Sequence, residues 1–196
     1  MTKKLILGSS SPYRQALLER LNLAFQCHSP DIDESPKEQE TPEQLVKRLT
    51  TQKAQAVYQD LNHHDLLIIS SDQVAVLDDH ILGKPHTVEN AIAQLLRFSG
   101  RKVTFLTGLG VLASDTMTYS YTLNEYHVYF RELNQEEVAR YVSIEQPLDC
   151  AGSFKCEGLG VALFEKMEGD DPTSLIGLPL ITLCKMLRQH GISPFS

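Results

Sequence analysis

The sequence predicts an α/β fold with a mixed, strongly twisted sheet flanked by helices. Three observations predict it: a strand, turn and helix at the N-terminus, further apolar runs placed to pair as antiparallel hairpins, and intervening helices that open on recognisable caps. Lys4–Gly8 (KLILG) is a short buried strand. Ser9-Ser10-Ser11-Pro12 then enters a helix, with Ser11 as N-cap and Pro12 at the first helical position. This helix is expected to reach about Leu21 and to bury Ala16, Leu17, Leu18 and Leu21. A Ser-rich turn feeding a helix N-terminus can seat a phosphate, because free N–H groups and the helix dipole face the anion. The same serines would also serve as caps of an ordinary strand-helix unit. Arg14 stands in the first turn.

Residues 25–29 form a candidate second strand, and 30–36 a polar loop with the acids Asp31, Asp33 and Glu34. Thr41-Pro42-Glu43-Gln44 is a capping box that opens a helix to about Gln59. Leu45, Val46, Leu49, Ala56 and Val57 form its buried stripe, and Lys53 lies at the stripe's edge, where it either snorkels or points into a cleft. Residues 66–69 are a strand running into Ser70-Ser71-Asp72, which puts Asp72 at a strand end. Residues 74–77 stay extended, Asp78-Asp79-His80 turn the chain, and Gly83-Lys84-Pro85 fixes the backbone where Lys84 leaves it. An acid and an ammonium thus share one corner, as a surface ion pair or as a reactive site.

Thr87 caps a helix over Val88–Phe98 that Ser99-Gly100 ends. Residues 103–113 are a strand. In 117–130 the apolar parity changes between Tyr119, Tyr121, Leu123 and Tyr126, Val128, Phe130, which predicts a β-bulge near Asn124-Glu125. Asn134 caps a helix to about Ser143; 149–160 is Gly-rich and polar, and a strand over 161–165 follows. A last helix after Gly177-Leu178-Pro179 is expected to bury Leu180, Ile181, Cys184 and Leu187. With no repeat and no long linker, residues 1–196 are read as one domain.

Composition excludes several classes of function. A net charge of −7 argues against a general binder of nucleic acid or of anionic membrane surfaces, though a local cation cluster can still hold a small phosphorylated ligand. The apolar stretch in MTKKLILG is too short for a signal core and no run approaches a membrane span, so a cytoplasmic protein is expected. Cys27, Cys150, Cys156 and Cys184 lack C-x-x-C spacing and are read as free thiols rather than zinc ligands.

SSSPYR, the loop acid in DIDES, Lys53 in QKAQ, Asp72 in SSDQV, Lys84 in GKP, Thr107-Gly108, AGSFKCEGLG and GLPL occur in order over nearly the whole chain. Together they resemble the Maf family of nucleotide pyrophosphatases. The resemblance implies a Maf/ITPase-like fold with an active-site cleft between two lobes. It also implies hydrolysis of the α–β phosphoanhydride of a nucleoside triphosphate with a divalent metal, magnesium or manganese. Asp72, Glu34, Lys84 and Lys53 are then the catalytic set, with Asp72 as proton acceptor and Glu34 and Asp72 facing the metal. Arg14, Lys53, Lys84 and N–H groups from Ser9 to Ser11 would contact phosphates. Ser9, Arg14, Tyr13, Gln73 and Glu157 make up the substrate-binding set.

Gln73 and Glu157 resemble the branch acting on 7-methylguanosine triphosphate; the branch acting on dTTP and UTP has threonine and glutamine there. Hydrogen-bond inventory agrees with the first branch. Guanine presents two adjacent donors, which one carboxylate accepts together and a glutamine oxygen cannot. A cationic methylated ring favours an aromatic face, for which Tyr13 is the candidate. The Gln73 amide can present either edge and so gives no direction by itself. Glu157 as an ordinary loop acid, Tyr13 as a cover of the helix N-terminus, and Lys155 as solvated or near a phosphate are the plain alternatives. Other activities to weigh are dTTP/UTP pyrophosphatase and a nucleotide-binding regulator with little hydrolysis. A homodimer is the expected assembly, with 119–130 as a candidate interface.

Overall fold

A computed structural model of the chain describes residues 3–195. Its centre is a mixed sheet of seven strands: β1 (Lys4–Gly8), β2 (Phe25–Cys27), β3 (Leu66–Leu77), β4 (His80–Leu82), β5 (Lys102–Ala113), β6 (Thr118–Phe130) and β7 (Phe164–Gly169). The order is β2-β1-β3-β5-β6-β7, with β4 paired to β3 outside that path. β1 runs parallel to both β2 and β3, whereas β3, β5, β6 and β7 are successively antiparallel. The helices are α1 (Pro12–Glu19), α2 (Pro42–Leu61), α3 (Val88–Phe98), α4 (Gln135–Glu145) and α5 (Leu180–Gln189). Four of them start where the sequence places their caps: the side chains of Ser11, Thr41, Thr87 and Asn134 accept from the first-turn N–H of Arg14, Gln44, Asn90 and Glu137.

The two faces of β3 are buried differently. Its even-numbered side chains lie under α2, where Ile68 packs with Ala54 and Val57, and Val74 with Leu45, Val46 and Leu49. Its odd-numbered side chains serve two clusters in succession. Leu67 and Ile69 join Leu17, Leu18, Leu183 and Leu187 of α1 and α5, while Ala75 and Leu77 join Leu95, Phe98, Val138 and Val142 of α3 and α4. Ser71 and Gln73 fall at the seam between these two lobes.

The sheet has a gap at the same place. β1 accompanies β3 only as far as Ser70, and β4 joins only from Ala75. Between them, Ser71 to Val74 pair with β5 on one side and leave the other edge open. A cleft forms there because a strand of 12 residues outruns a first neighbour of 5 and meets its next neighbour of 3 only after the turn.

Several sequence expectations are corrected. Asp72 is not at a strand end but in the middle of β3, opposite Gly108. No bulge occurs near Asn124: β6 pairs with β5 without a break from Thr118 to Tyr129, and the register shift lies at Tyr129/Phe130 against β7. The parity changes because the covering layer changes. Tyr119 and Leu123 face α2, whereas Tyr126, Val128 and Phe130 face the α3/α4 cluster on the other side. α1 stops at Glu19, leaving Ala16 exposed and Leu21 half-buried. In α2 it is Ala54, not Ala56, that is fully buried; in α5 Leu183 and Met186 are buried, whereas Ile181 is exposed and Cys184 half-buried. The 161–165 strand begins only at Phe164, since 159–163 fold back as a 3-10 turn, with the Gly160 N–H on the Lys155 carbonyl at 3.1 Å.

Candidate active site

The cleft at the sheet gap is a cavity of about 650 Å3 lined by Ser9, Tyr13, Arg14, Glu34, Lys53, Asp72, Gln73 and Lys84, among others. A smaller cavity of about 120 Å3 adjoins it and shares Tyr13, Arg14, Gln73 and Lys84, adding Phe154, Cys156 and Glu157. All nine residues singled out from the sequence therefore line one or both of two neighbouring spaces.

The close approach of α2 to the sheet positions the central ion pairs. A Cβ on Gly108 would lie 2.7 Å from Val46 Cγ1, so glycine lets the helix settle beside Asp72's cross-strand neighbour. Lys53 then points into the cleft instead of snorkelling. Its Nζ donates to Asp72 Oδ1 at 2.6 Å and pairs with Glu34 Oε1 at 2.8 Å. Lys53 and Asp72 are each 6% exposed. Such a pair costs desolvation, so its placement marks a chemical use more than a gain in stability.

Glu34 stands on a loop without regular structure, held at two points. Ile32 packs on the Leu45, Leu49 and Val74 cluster, and Arg48 of α2 clamps the loop. Arg48 donates from Nη2 to the Ser35 carbonyl at 2.9 Å and from Nε and Nη2 to the two Glu40 oxygens at 2.6 and 2.8 Å. Burial pushes the Glu34 carboxyl up, but the Lys53 hydrogen bond and the charges of Lys53, Lys84 and Arg14 outweigh it and hold the group below its ordinary value.

Arg14 is anchored beside the lobe seam, donating from Nε to the Gly177 carbonyl at 2.9 Å and from Nη1 to Ser9 Oγ at 3.4 Å. Burial pulls its pKa down, partly opposed by Asp72 and Glu34. Lys84 is exposed at the rim and makes no hydrogen bond or ion pair among the described residues, which leaves its charge to a ligand. The serine turn offers less than its sequence suggests. The Ser9 N–H goes to the Leu7 carbonyl and the Ser11 N–H to Ser9 Oγ, so of these three only the Ser10 N–H is uncommitted.

In the smaller cavity, burial and the Cys150 thiol, whose Sγ lies 3.7 Å from the Tyr13 hydroxyl, raise the Tyr13 phenol above its ordinary value. Burial also lifts Cys150 to about 11 and Cys156 to about 12, so neither thiol ionises near neutral pH. Glu157 is exposed on a loop tied to the end of α4: Lys155 Nζ donates to the Glu145 carbonyl at 2.7 Å, and the Leu159 N–H to Glu145 Oε1 at 2.8 Å. Lys155 is therefore a structural tie, neither solvated nor set toward a phosphate.

Sequence reasoning missed the Arg48–Glu40 clamp, the Gly177 carbonyl and the contact between Gln73 and Thr107. Arg48 and Glu40 are eight positions apart across a helix start, and no helical or strand period links such a pair. For a metal, Glu34 and Asp72 converge on one ammonium, and each keeps its second oxygen. No group of three or more acidic, His or Cys side chains is placed to hold an ion among the described residues. Two carboxylates suit a hard cation that completes its shell with water and phosphate oxygens.

The fold is similar to that of a HAM1 protein from Coxiella burnetii, at a TM-score of 0.54 and 15% identity over 96% of this chain and 100% of that one. A curated protein from Pseudomonas savastanoi pv. phaseolicola, named 7-methyl-GTP pyrophosphatase, is 56% identical over 96% of this chain and 97% of its own length. One of the same name from Idiomarina loihiensis is 51% identical over 100% of this chain and 99% of its own. No described helix is long and apolar enough to cross a membrane. The profile of the family described as Maf-like protein matches residues 4–190, and the chain belongs to that family.

Proposed function

We propose that this chain is a nucleoside triphosphate pyrophosphatase that converts 7-methyl-GTP to 7-methyl-GMP and pyrophosphate, removing a modified nucleotide. The observation that carries this reading is Lys53 bridging Asp72 and Glu34 in the sheet gap, with Arg14 and Lys84 around it. Three cations facing two carboxylates suit a triphosphate and an attacking water better than they suit a neutral ligand. Arg14, Lys84 and Lys53 hold the phosphates. Asp72 accepts the proton of a water whose oxygen bonds to the α-phosphorus, as the bond from that phosphorus to the bridging oxygen breaks and pyrophosphate leaves. Glu34 and Asp72 would hold a magnesium or manganese ion, which would supply positive charge for the phosphoryl oxygens when bound. The Lys53 hydrogen bond keeps Asp72 Oδ1 engaged, so Oδ2, with its two lone pairs, is the oxygen that would serve both the ion and the proton of the water.

Glu157 reads the base by accepting from guanine N1–H and the exocyclic amine, and Tyr13 offers its face to the cationic ring. The names of the relatives at 51 and 56% identity support the substrate. The test is pyrophosphate release from 7-methyl-GTP, GTP, dTTP and UTP, with magnesium and with a chelator. Fastest release from 7-methyl-GTP, abolished by chelation, is expected. Faster cleavage of dTTP or UTP would overturn the base assignment, and tight binding without release would make the chain a nucleotide-binding regulator.

A further inference from the structure

The Gln73 amide has a fixed polarity. Its Nε2 donates to Thr107 Oγ1 at 2.8 Å, to the Ser174 carbonyl at 2.7 Å and to the Leu175 carbonyl at 3.2 Å. Turning the amide over would set Oε1 against two carbonyl oxygens with no proton between them, so the environment decides the orientation. Thr107 completes it. Its hydroxyl donates to the Ser174 carbonyl at 3.0 Å and thus has only a lone pair to offer Gln73. Thr107 is fully buried and lies directly across the β3–β5 ladder from Gln73, and Ser174 is fully buried as well. Both amide protons are consumed inside the protein. Gln73 lines both cavities, and the atom it has left for them is the acceptor Oε1.

We infer that Thr107 and the 174–175 carbonyls hold Gln73 as an obligate hydrogen-bond acceptor, and that the site selects bases presenting a donor edge, Thr107 being a positioning residue for this choice. This rests on the base-reading function proposed above and extends it. Gln73 and Glu157 then form two acceptor walls, which match a purine carrying an exocyclic amine beside an N–H. A base that turns carbonyl oxygens toward both walls meets repulsion instead.

The experiment compares 7-methyl-GTP with 7-methyl-ITP, which lacks only the exocyclic amine, by turnover. It also compares the two corresponding monophosphates by calorimetric binding, which reads the base site even if no pyrophosphate is released. The wild-type protein is expected to favour the amine at least about tenfold in both measurements, the scale of a lost partner for a buried polar group. Thr107→Val should narrow that preference about threefold or more through KM, with kcat kept, as the amide loses one anchor. Thr107→Ser should restore it. Gln73→Leu, which keeps the bulk and removes the amide, should narrow it at least as far, and serves if the valine variant does not fold. An unchanged preference in folded Thr107→Val or in Gln73→Leu overturns the inference, as does a wild type indifferent to the amine. Failure of the enzymatic reading alone would show as absent turnover with the binding preference intact.

Discussion

The two cavities have Tyr13, Arg14, Gln73 and Lys84 among their common lining, yet they are built from different materials. The larger draws three of its charged groups from regular elements, Asp72 from a central strand, Lys53 from the middle of α2 and Arg14 from the first turn of α1, and adds Glu34 and Lys84 from loops at its rim. The smaller is walled by irregular chain, with Glu157 on an exposed loop and Gln73 oriented by carbonyls of a 3-10 turn. Phosphoanhydride cleavage needs charges held firmly in place, which strands and helices supply, whereas base choice resides in segments that can change without disturbing the sheet. Chemistry and selectivity should thus respond separately to mutation.

The largest effect expected is on the phosphate side. Asp72→Asn should lower pyrophosphate release by about 10²–10⁴-fold, the range for a lost general base, while circular dichroism shows the fold retained. Lys84→Ala should cost roughly 10²-fold in turnover with an unchanged melting temperature, because the side chain is exposed and unpaired within the described chain. Lys53→Met should add a stability penalty of about 3–5 kcal/mol in denaturant titration, since it leaves Asp72 buried without its partner. If Lys53→Met proved neutral in stability, the contrast between a rigid ionic cavity and a tolerant base cavity would fail.

On the base side, Glu157→Gln should shift the ratio of kcat/KM for 7-methyl-GTP over UTP by roughly 10–100-fold, with the melting temperature unmoved. The smallest effect expected concerns acid stability. The Arg48 hydrogen bond holds Glu40 at about 2, against an ordinary 4.5. A carboxyl depressed in the folded state contributes stability fully above its unfolded value and loses it as pH falls through the folded one. Melting temperature should therefore decline from about pH 4.5 toward pH 2, and Glu40→Gln should flatten part of that decline.

Much of this was legible from local signals. The caps at Ser11, Thr41, Thr87 and Asn134, the turn at Asp78-Asp79 and the strand at Lys4–Gly8 each depend on a few adjacent residues, and the structure has them there. Errors came where a non-local layer overrides local pattern. The parity change in β6 mimics a bulge because alternation along one strand cannot tell an irregular backbone from a change of covering helix. The apolar run of residues 66–69 ends before Ser-Ser-Asp, which locally signals a strand end at Asp72, but the ladder to β5 carries β3 through it.

The sequence by itself determined the element types, the mixed sheet and the acidic and basic groups available, since propensity, capping and charge belong to individual residues and their near neighbours. Only the tertiary structure decided that β1 and β4 leave a gap beside Asp72, that Lys53 turns inward to bridge Asp72 and Glu34, and that Gln73 faces the cleft as an acceptor. The physical reason is separation along the chain. Gln73 takes its polarity from Ser174 101 positions away, and Arg14 its anchor from Gly177 163 positions away, distances over which no sequence period carries information.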